Sequence, residues 1–127
     1  MKIFIAIKSS ERDKPILSTL KEMINSTGHE PYTFLDEDYI ANEKELMVKA
    51  LAKVKESDLL VIDGSQDSLG AGIEAGYFYS LGKPIICLFN KEAKVSRTLS
   101  GISNQIVIYQ DFEDLKSKLT SILLPKQ

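Results

Sequence analysis

One segment combines acidic, hydroxyl and glycine residues at a spacing that suits chemistry on a small molecule. It reads DGSQDSLGAGIEAG from Asp63 to Gly76. Gly70 and Gly72 allow a ligand to approach the backbone closely, and free amides at a helix start favour an anion. Glu74 falls in the first turns of the predicted helix, where the dipole favours the ionised carboxylate that a nucleophile toward a sugar carbon requires. A plainer interpretation is that Glu74 only stabilises the helix start.

The motifs of several common sites are missing from this sequence. The glycine spacing is Gly-x-Gly-x-x-x-Gly and follows the third predicted strand, whereas the dinucleotide fingerprint is Gly-x-Gly-x-x-Gly after the first. No P-loop Gly-Lys-Ser/Thr follows, and there is no Gly-x-Ser-x-Gly hydrolase elbow. His29 has no second His or Cys nearby, so it indicates neither a metal site nor a triad. We expect no metal and no cofactor.

Short apolar runs alternate with longer amphipathic stretches along the chain. The runs predict strands at 2–7, 32–35, 59–62, 85–89 and 106–109. Helical spacing predicts helices from Pro15 to the stop at Gly28, at 43–56, at 70–81 and at 111–123, with Asp111 as an N-cap. Residues 90–104 form the longest irregular segment, which indicates a functional or disordered loop.

This alternation predicts one α/β domain over residues 1–127, with a parallel sheet covered by helices on both faces. Five strands suggest a flavodoxin-like three-layer sandwich with strand order 2-1-3-4-5. Such sheets bind ligands beyond the carboxyl ends of the strands, where the first and third strands meet. Loops 8–14 and 63–72 should therefore form one site. It would contain Asp63 and Ser68 together with the first-loop residues Lys8, Ser9, Ser10 and Arg12.

Composition narrows the class of partner. The net charge is −2, and the basic residues are scattered among acidic ones, which argues against binding a nucleic acid polymer. No stretch approaches the roughly 20 apolar residues of a membrane span, and no secretory leader is recognisable. We expect a soluble, cytoplasmic protein without a membrane partner. The single cysteine, Cys87, lies in an apolar run and is predicted to be a buried thiol.

Three runs of residues resemble the nucleoside 2-deoxyribosyltransferase superfamily, and most of all its 5′-monophosphate N-glycosidase (2′-deoxynucleoside 5′-phosphate N-hydrolase) branch. They are DLLVID at 58–63, DSLGAGIEAGY at 67–77 and GKPIICLF at 82–89. The branch carries the signature Pro-Ser-Leu-Gly-x-Gly-x-Glu-x-Gly, and its proline is Asp67 here. The resemblance implies a flavodoxin-like fold and cleavage of an N-glycosidic bond. The sugar passes to another base in the transferases and to water in the hydrolases.

The resemblance also implies roles for particular residues. Glu74 matches the nucleophile, and Ser68 matches the serine that contacts the 5′-phosphate. Transferases carry an aspartate at that place, which would repel a phosphate, so the serine favours a nucleotide over a nucleoside. The run Thr98-Leu99-Ser100-Gly101 is similar to a family segment whose serine reaches the neighbouring subunit's phosphate, which implies a homodimer or a larger homo-oligomer.

Two positions depart from the family pattern. The first loop is usually Gly-Ser-Ile-Arg, but residues 6–12 read AIKSSER. The hydrolases also place an aspartate on the helix before the third strand to assist the leaving base, and spacing puts Ala50 there. Either Asp63 or Asp36 assists the base, or the reaction is slow or lost.

Three functions therefore stay open. The first is an N-glycosidase or deoxyribosyltransferase acting on a small nucleotide or nucleoside, with 5′-monophosphates preferred. The second is a nucleotide-binding or sensing domain of the same fold without turnover. The third is an unrelated flavodoxin-like module such as a response-regulator receiver. The receiver itself is excluded, because Ile7-Lys8-Ser9 follows the first strand where a receiver needs an acid pair.

Overall fold

A five-stranded parallel sheet forms the centre of the computed structural model, which describes residues 1–124. The strands are β1 (Lys2–Ala6), β2 (Glu30–Tyr32), β3 (Leu59–Asp63), β4 (Ile85–Asn90) and β5 (Gln105–Tyr109). They lie in the order β2-β1-β3-β4-β5. The helices are α1 (Pro15–Ser26), α2 (Glu43–Glu56), α3 (Leu69–Ser80), α4 (Arg97–Ile102) and α5 (Phe112–Leu123). The predicted flavodoxin-like fold and strand order are confirmed.

The sheet separates two hydrophobic cores. Alternate side chains of a strand point to opposite faces, so Leu59 and Val61 of β3 pack with α1 and α5, whereas Leu60 and Ile62 pack with α3. Burial on both faces explains why β3 and β4 are continuous apolar runs. Cys87 belongs to the α3 core and is fully buried, as predicted.

Several predicted element ends are confirmed by the backbone. Gly28 and Gly82 follow α1 and α3 with φ of 85° and 72°, a conformation that side chains other than glycine rarely adopt. The Asp111 side chain caps α5 by accepting a hydrogen bond from the Asp114 amide at 2.8 Å.

Two predictions about elements were wrong. The second strand lies at 30–32, earlier than predicted, and residues 34–36 form a 3₁₀ turn in which the Thr33 hydroxyl accepts a hydrogen bond from the Leu35 amide. As a three-residue edge strand paired only with β1, β2 carries too short a pattern to locate from sequence. The segment predicted to be irregular, 90–104, contains α4, which Ser96 caps. Within residues 1–124, no helix has the length and apolar character needed to cross a membrane.

Candidate functional site

A cavity of about 270 Å³ opens beyond the carboxyl end of β1, between α2 and the start of α3. One wall is apolar and is built by β1, the β2–α2 connection and α2, including Ala50. The other wall belongs to the start of α3 and carries Ser68, Gly70 and Glu74, while Ser9 enters from the first loop. We call this the Glu74 cavity. The structure thus brings together four of the predicted site residues.

Glu74 is partly buried and stands alone in this cavity. No hydrogen bond or salt bridge joins its carboxylate to another side chain of residues 1–124, and no other lining residue is ionisable. Burial raises the pKa of Glu74 from 4.5 to about 7. Burial therefore opposes the ionised form that the helix dipole was expected to favour. Glu74 is the sixth residue of α3, and the dipole effect fades beyond the first turn.

Ser68 lies at the N-cap of α3, two residues before the predicted helix start. Its hydroxyl oxygen accepts a hydrogen bond from the Ala71 amide at 3.2 Å. Because the oxygen acts as the acceptor, the hydroxyl hydrogen is free to be donated to a ligand. The amides of Leu69 and Gly70 have no acceptor among residues 1–124, as expected for the first turn of a helix. A Cβ atom at Gly70 would meet nothing within 4 Å, so this part of the wall is open.

Other predicted site residues lie outside the Glu74 cavity. Lys8, Ser10, Gly72 and Ser100 do not line it. Ser100 lies in α4, where its hydroxyl donates to the Ser96 carbonyl at 2.7 Å. Arg12 borders a separate open cleft beside Lys21 and Asp36, which form a salt bridge at 2.6 Å. In the part of the chain that the structure describes, the first loop therefore supplies the cavity with a hydroxyl from Ser9 and no cation.

Neither acid considered as an assistant to the leaving base reaches Glu74 in this structure. Asp36 pairs with Lys21, as described above. Alternate residues of a strand point to the same face, so Asp63 faces the α1/α5 side of the sheet together with Leu59 and Val61. There it lines a second cavity, of about 370 Å³, together with Glu11, Ser65 and Tyr109. We call this the Asp63 cavity. The predicted single site is therefore two cavities with no lining residue in common.

The structure also reveals a polar group that the sequence did not indicate. The Tyr32 hydroxyl donates to the Glu37 carboxylate at 2.8 Å, and Lys49 approaches the other Glu37 oxygen at 3.6 Å. Burial, the hydrogen bond to Glu37 and the nearby charge of Glu74 all raise the Tyr32 pKa. Tyr32 therefore stays protonated close to the Glu74 cavity. Because these contacts join β2 to a turn and to α2, no local sequence motif predicts them.

Comparison with known proteins identifies relatives of this chain, although no protein-family model matches it. A Thermofilum pendens protein named 2′-deoxynucleoside 5′-phosphate N-hydrolase 1 is 30% identical over 137 residues, covering 97% of this chain and 95% of that protein. The Mus musculus 5-hydroxymethyl-dUMP N-hydrolase is 35% identical over 66 residues, which cover 52% of this chain and 37% of that protein.

Solved structures agree with these relatives. The Clostridium botulinum CMP N-glycosidase superimposes with a TM-score of 0.72 and 26% identity, covering 94% of this chain and 98% of that one. The 2-deoxyribosyltransferase of Bacillus psychrosaccharolyticus superimposes with a TM-score of 0.71 over 99% of this chain and 98% of that one. At 19% identity, the second likeness shows a shared fold. Similar over nearly its whole length to the Thermofilum protein, the chain belongs to the family of 2′-deoxynucleoside 5′-phosphate N-hydrolases.

Proposed function

We propose that this chain cleaves the N-glycosidic bond of a nucleoside 5′-monophosphate, or of the parent nucleoside, with Glu74 as the nucleophile. The observation that carries the proposal is the isolation of Glu74. It is the one ionisable side chain lining its cavity within residues 1–124. A carboxylate that no protein cation neutralises is available to attack an electrophilic carbon. The names of the N-hydrolase relatives support the same reaction.

The reaction would follow the two steps of a retaining glycosidase. Ionised Glu74 forms a bond to the anomeric carbon while the base departs with the electron pair of the carbon–nitrogen bond. Water, or a second base in a transferase reaction, then displaces the carboxylate. Within residues 1–124 the cavity holds no second acid, because Ala50 occupies the wall where the family resemblance places one. The departing base therefore takes its proton from solvent.

A 5′-phosphate would bind at the start of α3. The Ser68 hydroxyl hydrogen and the free amides of Leu69 and Gly70 can donate hydrogen bonds to its oxygens, and the positive end of the helix dipole favours its charge. No lysine or arginine of residues 1–124 lines the cavity. Within one subunit, recognition of phosphate would therefore rest on hydrogen bonds and the helix dipole.

We also propose that the protein is a homodimer or a larger homo-oligomer, with Ser100 and the segment 90–104 near the partner's Glu74 cavity. Apolar side chains on α3 are exposed without a partner in one subunit, since Leu69 is 83% and Ile73 is 44% exposed. Helix α4, which carries Ser100, packs against α3. Sedimentation velocity at micromolar concentration should show a dimer or larger species, and a monomer would contradict this proposal.

A nucleotide-sensing domain without turnover is the second candidate. It is favoured by the absence of a second acid from the Glu74 cavity and by the pKa of Glu74 near 7. At that pKa about half of the population carries a protonated, non-nucleophilic carboxyl group at neutral pH. Such a domain would bind nucleotides at the start of α3 and leave them intact.

A product screen distinguishes the two candidates. Common nucleosides and their 5′-monophosphates are incubated with the protein, with and without an added base, and the products are separated by chromatography. We expect free base and a sugar phosphate, and a new nucleotide if a base is the acceptor. Binding without any product would support the sensing domain. If the protein neither binds any of these compounds nor forms a product, both functions are overturned.

A further inference from the structure

The Asp63 cavity lies at the carboxyl edge of the sheet, on the face that α1 and α5 cover. Its walls come from the first loop, the β3–α3 loop, the end of β4 and the start of α5. Open α/β sheets bind ligands at this edge, and its volume of about 370 Å³ falls within the range of about 300–1,000 Å³ that is usual for small-molecule sites. The reaction proposed at Glu74 makes no use of it.

Three polar residues that face this cavity are largely buried. The exposed fractions are 8% for Glu11, 5% for Asp63 and 3% for Tyr109. One Glu11 oxygen accepts a hydrogen bond from Lys14 at 3.2 Å, and one Asp63 oxygen accepts from the Ser65 amide at 3.0 Å. The second Glu11 oxygen has no hydrogen-bond partner among residues 1–124, and Asp63 has none there besides Ser65. Every side-chain polar atom sealed from solvent there has a partner, so the second Glu11 oxygen is open to the cavity.

The charge of the cavity selects a cation. Glu11, Asp63 and Glu92 line it, and Lys14 is the one basic residue of residues 1–124 that does so. Lys14 is already engaged by Glu11. Buried carboxylates that are only partly compensated are costly, and a positively charged ligand with hydrogen-bond donors would reduce that cost. Burial and the nearby charge of Glu11 both raise the pKa of Asp63, which agrees with a carboxylate that lacks a cation.

The shape and lining of the cavity favour an organic cation over a metal ion. Among residues 1–124, no group of three His, Cys, Asp or Glu side chains is arranged to hold a metal. Apolar wall is contributed by Pro15, Ile16 and Phe112, and the Phe112 ring is 37% exposed. Aromatic rings attract ammonium and guanidinium groups. Guanidinium also matches a carboxylate with paired N–H donors.

We propose that the Asp63 cavity binds a small organic cation with N–H donors, an ammonium or guanidinium compound, through the carboxylate oxygens of Glu11 and Asp63. The Ser65 and Tyr109 hydroxyls and the Asn90 amide offer further polar contacts within the same cavity. This site is separate from the one proposed for nucleotides, so it stands or falls independently of the Glu74 reaction.

Calorimetric titration of the full chain with agmatine, which carries a guanidinium and an ammonium group, tests this proposal. Pentanol serves as a neutral compound of similar size, and magnesium chloride tests for a metal site. We expect agmatine to bind with a Kd below about 1 mM, a free energy near −4 kcal/mol, and pentanol not to bind. Absence of agmatine binding at that concentration, or magnesium binding that displaces agmatine, would overturn it.

Matched variants locate the binding. Asp63→Asn and Glu11→Gln keep side-chain shape and should each weaken agmatine binding about tenfold to a hundredfold, the usual loss for a charge-assisted hydrogen bond. Asp67→Asn removes an exposed acid from the same loop and should leave agmatine binding unchanged. Thermal melts establish that the variants are folded. Equal affinity in wild type, Asp63→Asn and Glu11→Gln would refute the site.

Discussion

The two cavities at the carboxyl edge of the sheet differ in the hydrogen-bond partners that they offer to their acidic residue. Asp63 accepts a backbone hydrogen bond and shares its cavity with Glu11 and Lys14. Glu74 has no such partner and faces apolar side chains of β1 and α2. Burial alone therefore sets the Glu74 pKa, at about 7. A carboxylate whose pKa lies near neutral pH is typical of an active site.

The largest effect should come from removing the isolated carboxylate. Glu74→Ala is expected to lower kcat at least about a thousandfold, because the variant has no group to form the covalent intermediate. Asp63→Ala, in the other cavity, should retain most of the activity. Steady-state rates of folded variants check this contrast. Similar losses in both variants would mean that the two cavities form one active site.

Adding the acid that the Glu74 cavity lacks should have the next largest effect. Ala50→Asp places a carboxyl group on the α2 wall, where it can protonate the departing base. General acid catalysis contributes about a hundredfold or more, so kcat should rise, mostly for bases that leave poorly. Ala50→Asn is the uncharged control and should not raise kcat. A slower, folded Ala50→Asp enzyme would show that departure of the base is not limiting.

Recognition of phosphate at the start of α3 should be sensitive to charge at Ser68. Ser68→Asp preserves the N-cap but places a negative charge beside the phosphate, and it should weaken 5′-monophosphate binding about tenfold to a hundredfold. Nucleoside binding should change little. Ser68→Asn caps the helix without charge and is the matched control. Calorimetry measures the six affinities of the two ligands for wild type and both variants, and equal losses for nucleotide and nucleoside would argue against a phosphate contact.

The last effect concerns the stability of the fold, and not the rate of reaction or the affinity for substrate. A raised pKa means that the folded state binds the proton more tightly, so the stability present below pH 4.5 falls as the pH rises from 4.5 to about 7. Glu74→Gln should remove this loss and be more stable than wild type at pH 8, by up to about 3 kcal/mol. Denaturant unfolding at pH 4 and pH 8 measures it. Glu22→Gln, at an exposed position of α1, keeps Glu74 and should therefore lose stability between pH 4 and pH 8 as wild type does.

Most of the fold could be predicted because its signals are local and strong. The continuous apolar runs of β3 and β4 indicate buried parallel strands, and Gly28, Gly82 and Asp111 mark the ends of helices as predicted. The strand order follows from the regular alternation of elements. The position of β2 could not be predicted, because its three residues pair with β1 alone.

The candidate site was only partly predictable. Glu74 and Ser68 lie six residues apart on one segment, so their shared cavity follows from local structure. Asp63 is separated from the Glu74 cavity because its side chain points to the other face of the sheet. Asp63 is the last residue of β3, and the sequence does not show clearly where this strand ends and the loop begins. The Tyr32–Glu37 contact and the pKa of Glu74 depend on tertiary packing, which no motif records.

The central claim, that Glu74 attacks the anomeric carbon, is tested most directly by trapping the covalent intermediate. The analogue is a nucleoside 5′-monophosphate with fluorine at C2′ and an activated base. The fluorine lowers the rates of both chemical steps, and the activated base, which leaves easily, restores the rate of the first step. Intact-mass analysis followed by peptide mapping should then find one sugar phosphate per chain, attached to Glu74 and absent from Glu74→Gln. Turnover of the normal substrate without any adduct, or an adduct on another residue, would contradict the mechanism.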